Sequence, residues 1–177
     1  MTSSFDLSVL EWFISQRTPA LDAFFSTITY LGSAIAIGII ATIAAVFAFV
    51  QHKRTDAVLI VVTVTSGWTL MVGLKFLANR DRPGPELALI EVANSAFPSG
   101  HAMMATILAI VLAATVVKTK LAWPLLAVLP LLVGVSRVYL GVHWPTDALA
   151  GWAVGFAWGF ACVALHHALR PAEFRKP

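Results

Sequence analysis

Charge is what this 177-residue chain has least of. Lys, Arg, Asp and Glu together make up 12% of it, about half the share usual in soluble domains. Hydrophobic residues make up 59%, which leaves no room for a separate soluble domain beside the apolar segments and implies one integral-membrane domain over residues 1–177. One cysteine, Cys162, occurs inside an apolar run, so no intrachain disulfide can form. The net charge of +3 comes from scattered residues and gives no footprint for nucleic acid. The N-terminus lacks the basic region of a cleavable signal peptide, and Asp6 and Glu11 interrupt its apolar residues. The spacing of Phe5, Val9, Trp12 and Phe13 suits a short helix on the membrane surface. Internal repeats and low-complexity segments are also missing.

Uncharged runs are abundant. No charged residue separates Asp22 from His52, and a first span fits within Tyr30–Val50. Further runs cover 57–74, 102–117, 121–136 and 148–165. A spanning helix needs about 20 residues. The third and fourth runs reach that length only with their polar ends, Pro98–His101 and Arg137–Leu140, which therefore sit at the membrane boundary. The expected fold is all-α: a polytopic membrane helix bundle with five transmembrane helices, six if the segment before Tyr30 supplies another.

Lys53, Arg54, Lys118, Lys120, Arg170, Arg175 and Lys176 fall on one side, 7 of the 12 basic residues. Seven of the 9 acids fall on the other. Basic residues concentrate on the cytoplasmic side, which puts the C-terminus inside and the N-terminus outside. The expected location is the cytoplasmic membrane.

Three separated stretches then share the outer face: Lys75–Pro83, Pro98–His101 and Ser136–Asp147. They bring three cations, two histidines, a carboxylate and a helix start, a set suited to binding and reacting with a phosphate. Lys75 and Arg82 lie seven residues apart, about two helical turns, and Pro83 disfavours helix at Arg82. Arg137 arrives from the end of the fourth run. Ionised side chains near a bilayer are unfavourable, and a bound anion compensates them. Ser99 is read as an N-cap, and Gly100 lets an anion approach the backbone. His101, in the first turn, points at that anion, which the helix dipole also favours.

His143 and Asp147 are four residues apart and can meet if a helix starts between them, for which Pro145 is suited. A carboxylate on one imidazole nitrogen fixes the tautomer and frees the other nitrogen to attack. Arg80 and Asp81 are expected to pair with each other or with solvent and to carry no chemistry. Met103 and Met104 read as packing residues. His166 and His167 read as interfacial, as do Trp12, Trp123 and Trp144. Trp68, Trp152 and Trp158 sit deeper and have no evident role. The loop Gly84–Phe97 is a connector or a lid.

These motifs closely resemble the signature of the type 2 phosphatidic acid phosphatase superfamily, K-x6-R-P, P-S-G-H and S-R-x5-H-x3-D. The chain supplies Lys75…Arg82-Pro83, Pro98-Ser99-Gly100-His101 and Ser136-Arg137…His143…Asp147. The resemblance implies a six-helix membrane core and a metal-independent phosphohydrolase, without cofactor, that works through a phosphohistidine. It implies His143 as nucleophile, Asp147 as its orienting partner, and His101 as the acid that later activates water. Lys75, Arg82, Arg137, Ser99 and the Gly100 backbone would hold the phosphoryl oxygens. A site at the outer boundary suits a lipid phosphate. The similar small bacterial enzymes act on undecaprenyl diphosphate, phosphatidylglycerophosphate or phosphatidic acid. Vanadate haloperoxidases share the anion site, but this chain is too apolar for a soluble member. A small anion transporter or channel is the competing class, against which the short loops and the absence of repeats argue. Oligomeric state leaves no trace in the sequence.

Overall fold

The structure is a computed structural model that describes residues 3–117 and 123–169. Among these it is all-helical. Seven α-helices follow in order: α1 (Ser4–Ser15), α2 (Pro19–Tyr30), α3 (Ala34–Val50), α4 (Arg54–Ala78), α5 (Gly100–Thr115), α6 (Trp123–Tyr139) and α7 (Pro145–Leu169). Local signals set several boundaries. The hydroxyls of Ser3, Thr18 and Ser33 accept from Asp6, Leu21 and Ala36 amides at the starts of α1, α2 and α3, as N-caps do. Asn79 ends α4 in the left-handed region, φ 40°, a conformation asparagine tolerates better than most residues. Lys118, Lys120, Arg170, Arg175, Lys176 and the side chain of Trp123 lie outside the described residues.

Helix α5 is the axis of the bundle and packs against α3, α4, α6 and α7. Its residues from Ala102 to Leu108 are all buried, as expected of a helix apolar on every side. Met103 and Met104 lie in this core. The α5–α7 crossing is the closest, because α7 turns Gly151, Gly155 and Gly159 towards α5. A Cβ on Gly151 would stand 2.6 Å from the Ser99 carbonyl oxygen, and one on Gly155 equally close to that of Met103. Small residues at this spacing let helix backbones meet without side chains between them. The contact positions the site directly, since Ser99 begins α5 and α7 begins beside Asp147.

The outward faces are apolar. Ile35, Ile43 and Val50 of α3, Phe76 and Leu77 of α4, and Phe156 and Leu165 of α7 are all exposed. A soluble monomer does not leave a belt of this size in water; lipid is its proper solvent, and the protein is an integral membrane protein. By length and composition α4 and α7 cross a bilayer alone, and α2 with α3 forms a pair bent by 48° that passes the same test jointly. Helices α1 and α2 have 12 residues each, about 18 Å of rise against a hydrocarbon core of about 30 Å. Neither reaches across by itself.

The glycine contact is testable by thermal unfolding in detergent. Gly155→Ala is expected to lower the midpoint by an overpacking penalty of about 1–3 kcal/mol. Gly38→Ala meets nothing within 4 Å and is expected to leave the midpoint unchanged or raise it, because alanine favours helix. Equal behaviour of the two variants would refute this account of the crossing.

Candidate active site

One end of the bundle brings together the end of α4 with its following loop, the start of α5 and the α6–α7 corner. Backbone bonds hold them: the Ser99 amide donates to the Asp147 carbonyl (2.9 Å), Ala96 to Arg80 (2.8 Å) and Leu89 to Leu140 (2.9 Å). A cavity of about 490 Å³ opens here, lined by Lys75, Arg82, Arg137, Gly100, His101 and His143. All three motifs therefore contribute to one space. Its remaining wall includes Ala34, Trp68, Met71 and Val72, which gives Trp68 a place the sequence left unexplained.

The cations are held by neutral partners. Lys75 Nζ donates to the Ser95 carbonyl (2.5 Å). Arg82, clear of α4 as Pro83 required, donates to Asn94 through Nε (2.6 Å to the carbonyl) and Nη2 (2.7 Å to Oδ1), and through Nη1 to the Val142 carbonyl. Arg137 donates to Thr29 Oγ1 (2.9 Å), while its buried Nε has no hydrogen-bond partner among the described residues. No carboxylate pairs with any of the three among the described residues. An uncompensated positive field in a partly dry cavity selects anions.

Ser99 departs from its expected role. It occupies the N-cap position of α5, but its side chain makes no cap bond. Its Oγ is buried without a partner, while its backbone amide separately donates to the Asp147 carbonyl. Ser99 is fully buried at the edge of the site and is not among the residues that line the cavity. Gly100 stands beside Lys75: a Cβ there would lie 3.7 Å from the lysine Cε and 3.2 Å from Met71 Sδ. Gly32, at the α2–α3 bend, approaches His101 so closely that a Cβ would sit 3.1 Å from the ring.

His143 and Asp147 meet as their spacing and Pro145 foretold. Nδ1 of His143 faces Oδ2 of Asp147 at 3.4 Å, and the Trp144 amide donates to the same oxygen at 2.9 Å. Nε2 of His143 lies 3.2 Å from Arg82 Nη1. A guanidinium only donates, so that contact is a hydrogen bond when Nε2 carries a lone pair and Nδ1 the proton. Burial, and after it the charges of Arg82, Arg137 and Lys75, hold His143 well below the ordinary imidazole range. That shift favours the neutral ring, and a proton on Nδ1 would turn the Nε2 lone pair to the cation side.

Two expectations need correction. Arg80 does not pair with Asp81: it bridges Asp147 Oδ1 (2.6 Å) and Asp6 Oδ2 (2.7 Å), with part of its side chain still exposed. Trp144 is no belt residue; it is buried, and its indole N–H donates to the Asp81 carbonyl at 2.9 Å. Asp6, Thr29, Arg80, Asn94 and Thr146 also serve the site, and none was legible beforehand. The only hint for Asp6 was an acid in the middle of an amphipathic pattern. Trp152 and Trp158 bond to Pro130 and Ser66 within the bundle. His166 lies 3.4 Å from Asp56 at the far end of α7.

With this geometry in view, similarity to known proteins is informative. The chain is 33% identical over 147 residues to phosphatidylglycerophosphatase B of Bacillus subtilis, covering 78% of this chain and 72% of that one. It is 42% identical over 69 residues to an undecaprenyl-diphosphatase of Sulfolobus acidocaldarius, a match covering 39% of this chain and 32% of the relative. The crystal structure of a transmembrane phosphatidylglycerolphosphate phosphatase from Bacillus subtilis superposes with a TM-score of 0.87 at 27% identity, over 94% of this chain and 87% of that one. Residues 56–171 match the PAP2 superfamily, and that span contains every motif residue lining the cavity: the chain belongs to the PAP2 superfamily.

Proposed function

We propose that the protein is a single-domain membrane lipid phosphatase that removes a terminal phosphate through a phosphohistidine on His143. One observation carries this reading: His143 Nε2 lies against Arg82 in a cavity shared with Lys75 and Arg137, three cations that lack carboxylate partners among the described residues. A phosphate completes every one of these valences. On binding, Lys75, Arg82 and Arg137 exchange neutral partners for phosphoryl oxygens, joined by Ser99 Oγ and the Gly100 amide. Charge-assisted bonds of this kind are about twice as strong as neutral ones.

His143 Nε2 attacks phosphorus in line with the leaving oxygen. Asp147 steadies the positive charge that develops on the ring, as the aspartate of a hydrolase triad does. The P–O bond to the lipid breaks as the P–N bond forms, and His101 gives its proton to the departing oxygen. His101 then takes a proton from water, whose oxygen attacks phosphorus and returns the electron pair to His143. Anion binding by cations needs no divalent metal, and a single nearby carboxylate would hold one poorly.

The apolar wall of Trp68, Val72 and Ala34 supports a lipid substrate. These residues lie on α3 and α4, so a phosphate among the cations can keep its tail against membrane-facing helices. Undecaprenyl diphosphate, phosphatidylglycerophosphate and phosphatidic acid all satisfy this requirement. In the accompanying topology α3 to α7 make five crossings of the cytoplasmic membrane. The site faces outward, α1 and α2 rest at the outer interface, and the C-terminus is cytoplasmic.

Hydrolysis is separated from anion transport by assaying detergent-solubilised protein with these three lipids in excess chelator. Phosphate release is expected; absence of release, or release restored only by Mg²⁺, would refute the reading. Sidedness is read by an impermeant maleimide on intact cells, in a Cys162→Ser background. Glu86→Cys is expected to label from outside and Gln51→Cys only after permeabilisation, and the reverse pattern would place the site in the cytoplasm.

The two histidines separate by leaving group. His143→Ala is expected to abolish turnover of every substrate. His101→Ala is expected to lose about 10²–10⁴-fold on lipid phosphates, the worth of general acid–base assistance. An aryl phosphate departs without that proton, so His101→Ala is expected to give a burst of aryl alcohol, then slow turnover, with an acid-labile phosphoenzyme accumulating. A burst in His143→Ala instead would reverse the roles.

A further inference from the structure

We propose that Arg80, clamped between Asp6 of α1 and Asp147 of α7, is a positioning residue for the aspartate behind His143, and that α1 is its anchor. The inference rests on His143 and Asp147 acting as proposed above. The two oxygens of Asp147 divide their work. Oδ2 takes the Trp144 amide and faces His143, while Oδ1 takes Arg80 Nη1 at 2.6 Å. Asp147 is fully buried. Without Arg80, no other cation pairs with it among the described residues, and the carboxylate is free to rotate away from the imidazole.

Arg80 is fixed from every side. Its backbone N–H donates to Ser95 Oγ (3.0 Å), and its carbonyl accepts from the Ala96 amide (2.8 Å). The Trp144 ring lies 5.8 Å from the guanidinium carbon, within cation–π range. Nη2 ends on Asp6, which is 1% exposed. Asp6 also accepts from the Thr146 amide (3.0 Å) and hydroxyl (2.9 Å). It thereby satisfies a first-turn amide of α7 from another helix, where the dipole favours negative charge.

Anchorage alone does not explain this arrangement. Among the apolar residues of α1 only Leu10 is buried, while Phe5, Leu7 and Trp12 face outward. The helix docks through Leu10, with Phe13 and Ile14 packed beside it, and through one buried charge. Buried ion pairs contribute little net stability compared with apolar packing of the same volume. What such a network does supply is direction, and its end point is the Oδ1 of Asp147. Asp6 lies outside residues 56–171, which match the superfamily, so the anchor comes from a segment beyond the matched span.

The test is a double-mutant cycle on the full chain in detergent, read as kcat and KM for phosphate release. Arg80→Gln is expected to lower kcat by about 10- to 100-fold with KM nearly unchanged, and to add no more than about twofold in an Asp147→Asn background. Arg80→Lys, which keeps the charge, is expected to recover part of the loss. Asp6→Asn, isosteric and one residue further from the chemistry, is expected to lower kcat severalfold and to lose that effect beside Asp147→Asn. If Arg80→Gln does not fold, Asp6→Asn carries the cycle. Additive losses, a rise in KM at constant kcat, or unchanged kcat in both variants would overturn the inference. Full activity of Asp147→Asn would instead refute the His143–Asp147 reading on which it stands.

Discussion

Three positive charges held near one another at one end of the helix bundle set the terms for everything around them. Lys75, Arg82 and Arg137 repel, and burial removes the water that would screen them. A protein seeking stability alone would place carboxylates between them. Here the acids are withheld: Asp147 is turned to His143 and Arg80, and Asp6 is spent on Arg80 and Thr146. The cations are left with the carbonyls of Ser95, Asn94 and Val142 and the hydroxyl of Thr29. Those partners solvate charge without cancelling it. The electrostatic debt is left for an anionic substrate, and so a binding site can also be a place of local instability.

The bundle's packing serves the same end. Glycines on α7 let its backbone touch that of α5, so the first turns of the two helices lie against each other. The Ser99 amide consequently finds the Asp147 carbonyl. A side chain at Gly151 would separate the first turn of α5 from the corner that holds His143 and Asp147. Fold and chemistry are coupled here through the radius of one residue.

What the sequence made legible was local. The i, i+4 spacing of His143 and Asp147 with Pro145 between them, and the effect of Pro83 on Arg82, are short-range geometry, and the structure follows them. Apolar runs likewise marked each long helix within a few residues. The rest depends on contacts between distant segments. Ser99 looked like a cap because serine at a helix start usually is one; its hydroxyl has no partner, and its amide bonds to α7. Arg80 sat beside Asp81 in sequence, yet backbone direction after Asn79 sends it to residues 67 and 74 positions away. Trp144 resembled a belt tryptophan by composition, but the corner it occupies folds inward. Charge pairing across long separations leaves no periodic trace, so such partners emerge only in three dimensions.

In the proposed mechanism, Asp6 is such a distant partner. An orienting carboxylate acts only if it is itself oriented, and a carboxyl group turns about one bond with little resistance. Two donors on opposite oxygens remove that freedom: the Trp144 amide holds Oδ2 within the corner, and Arg80 holds Oδ1 from outside it. A long arginine side chain is flexible too, and without an anchor it would pass its mobility on to the aspartate. Asp6 fixes the second arm of the guanidinium while binding the amide of Thr146, one residue before Asp147. The clamp therefore closes on α7 itself, so that any displacement of the helix carries arginine, aspartate and anchor together. Such a loop of contacts preserves the angle between Asp147 and His143 while the bundle flexes in the bilayer, which a single ion pair to a mobile partner does not.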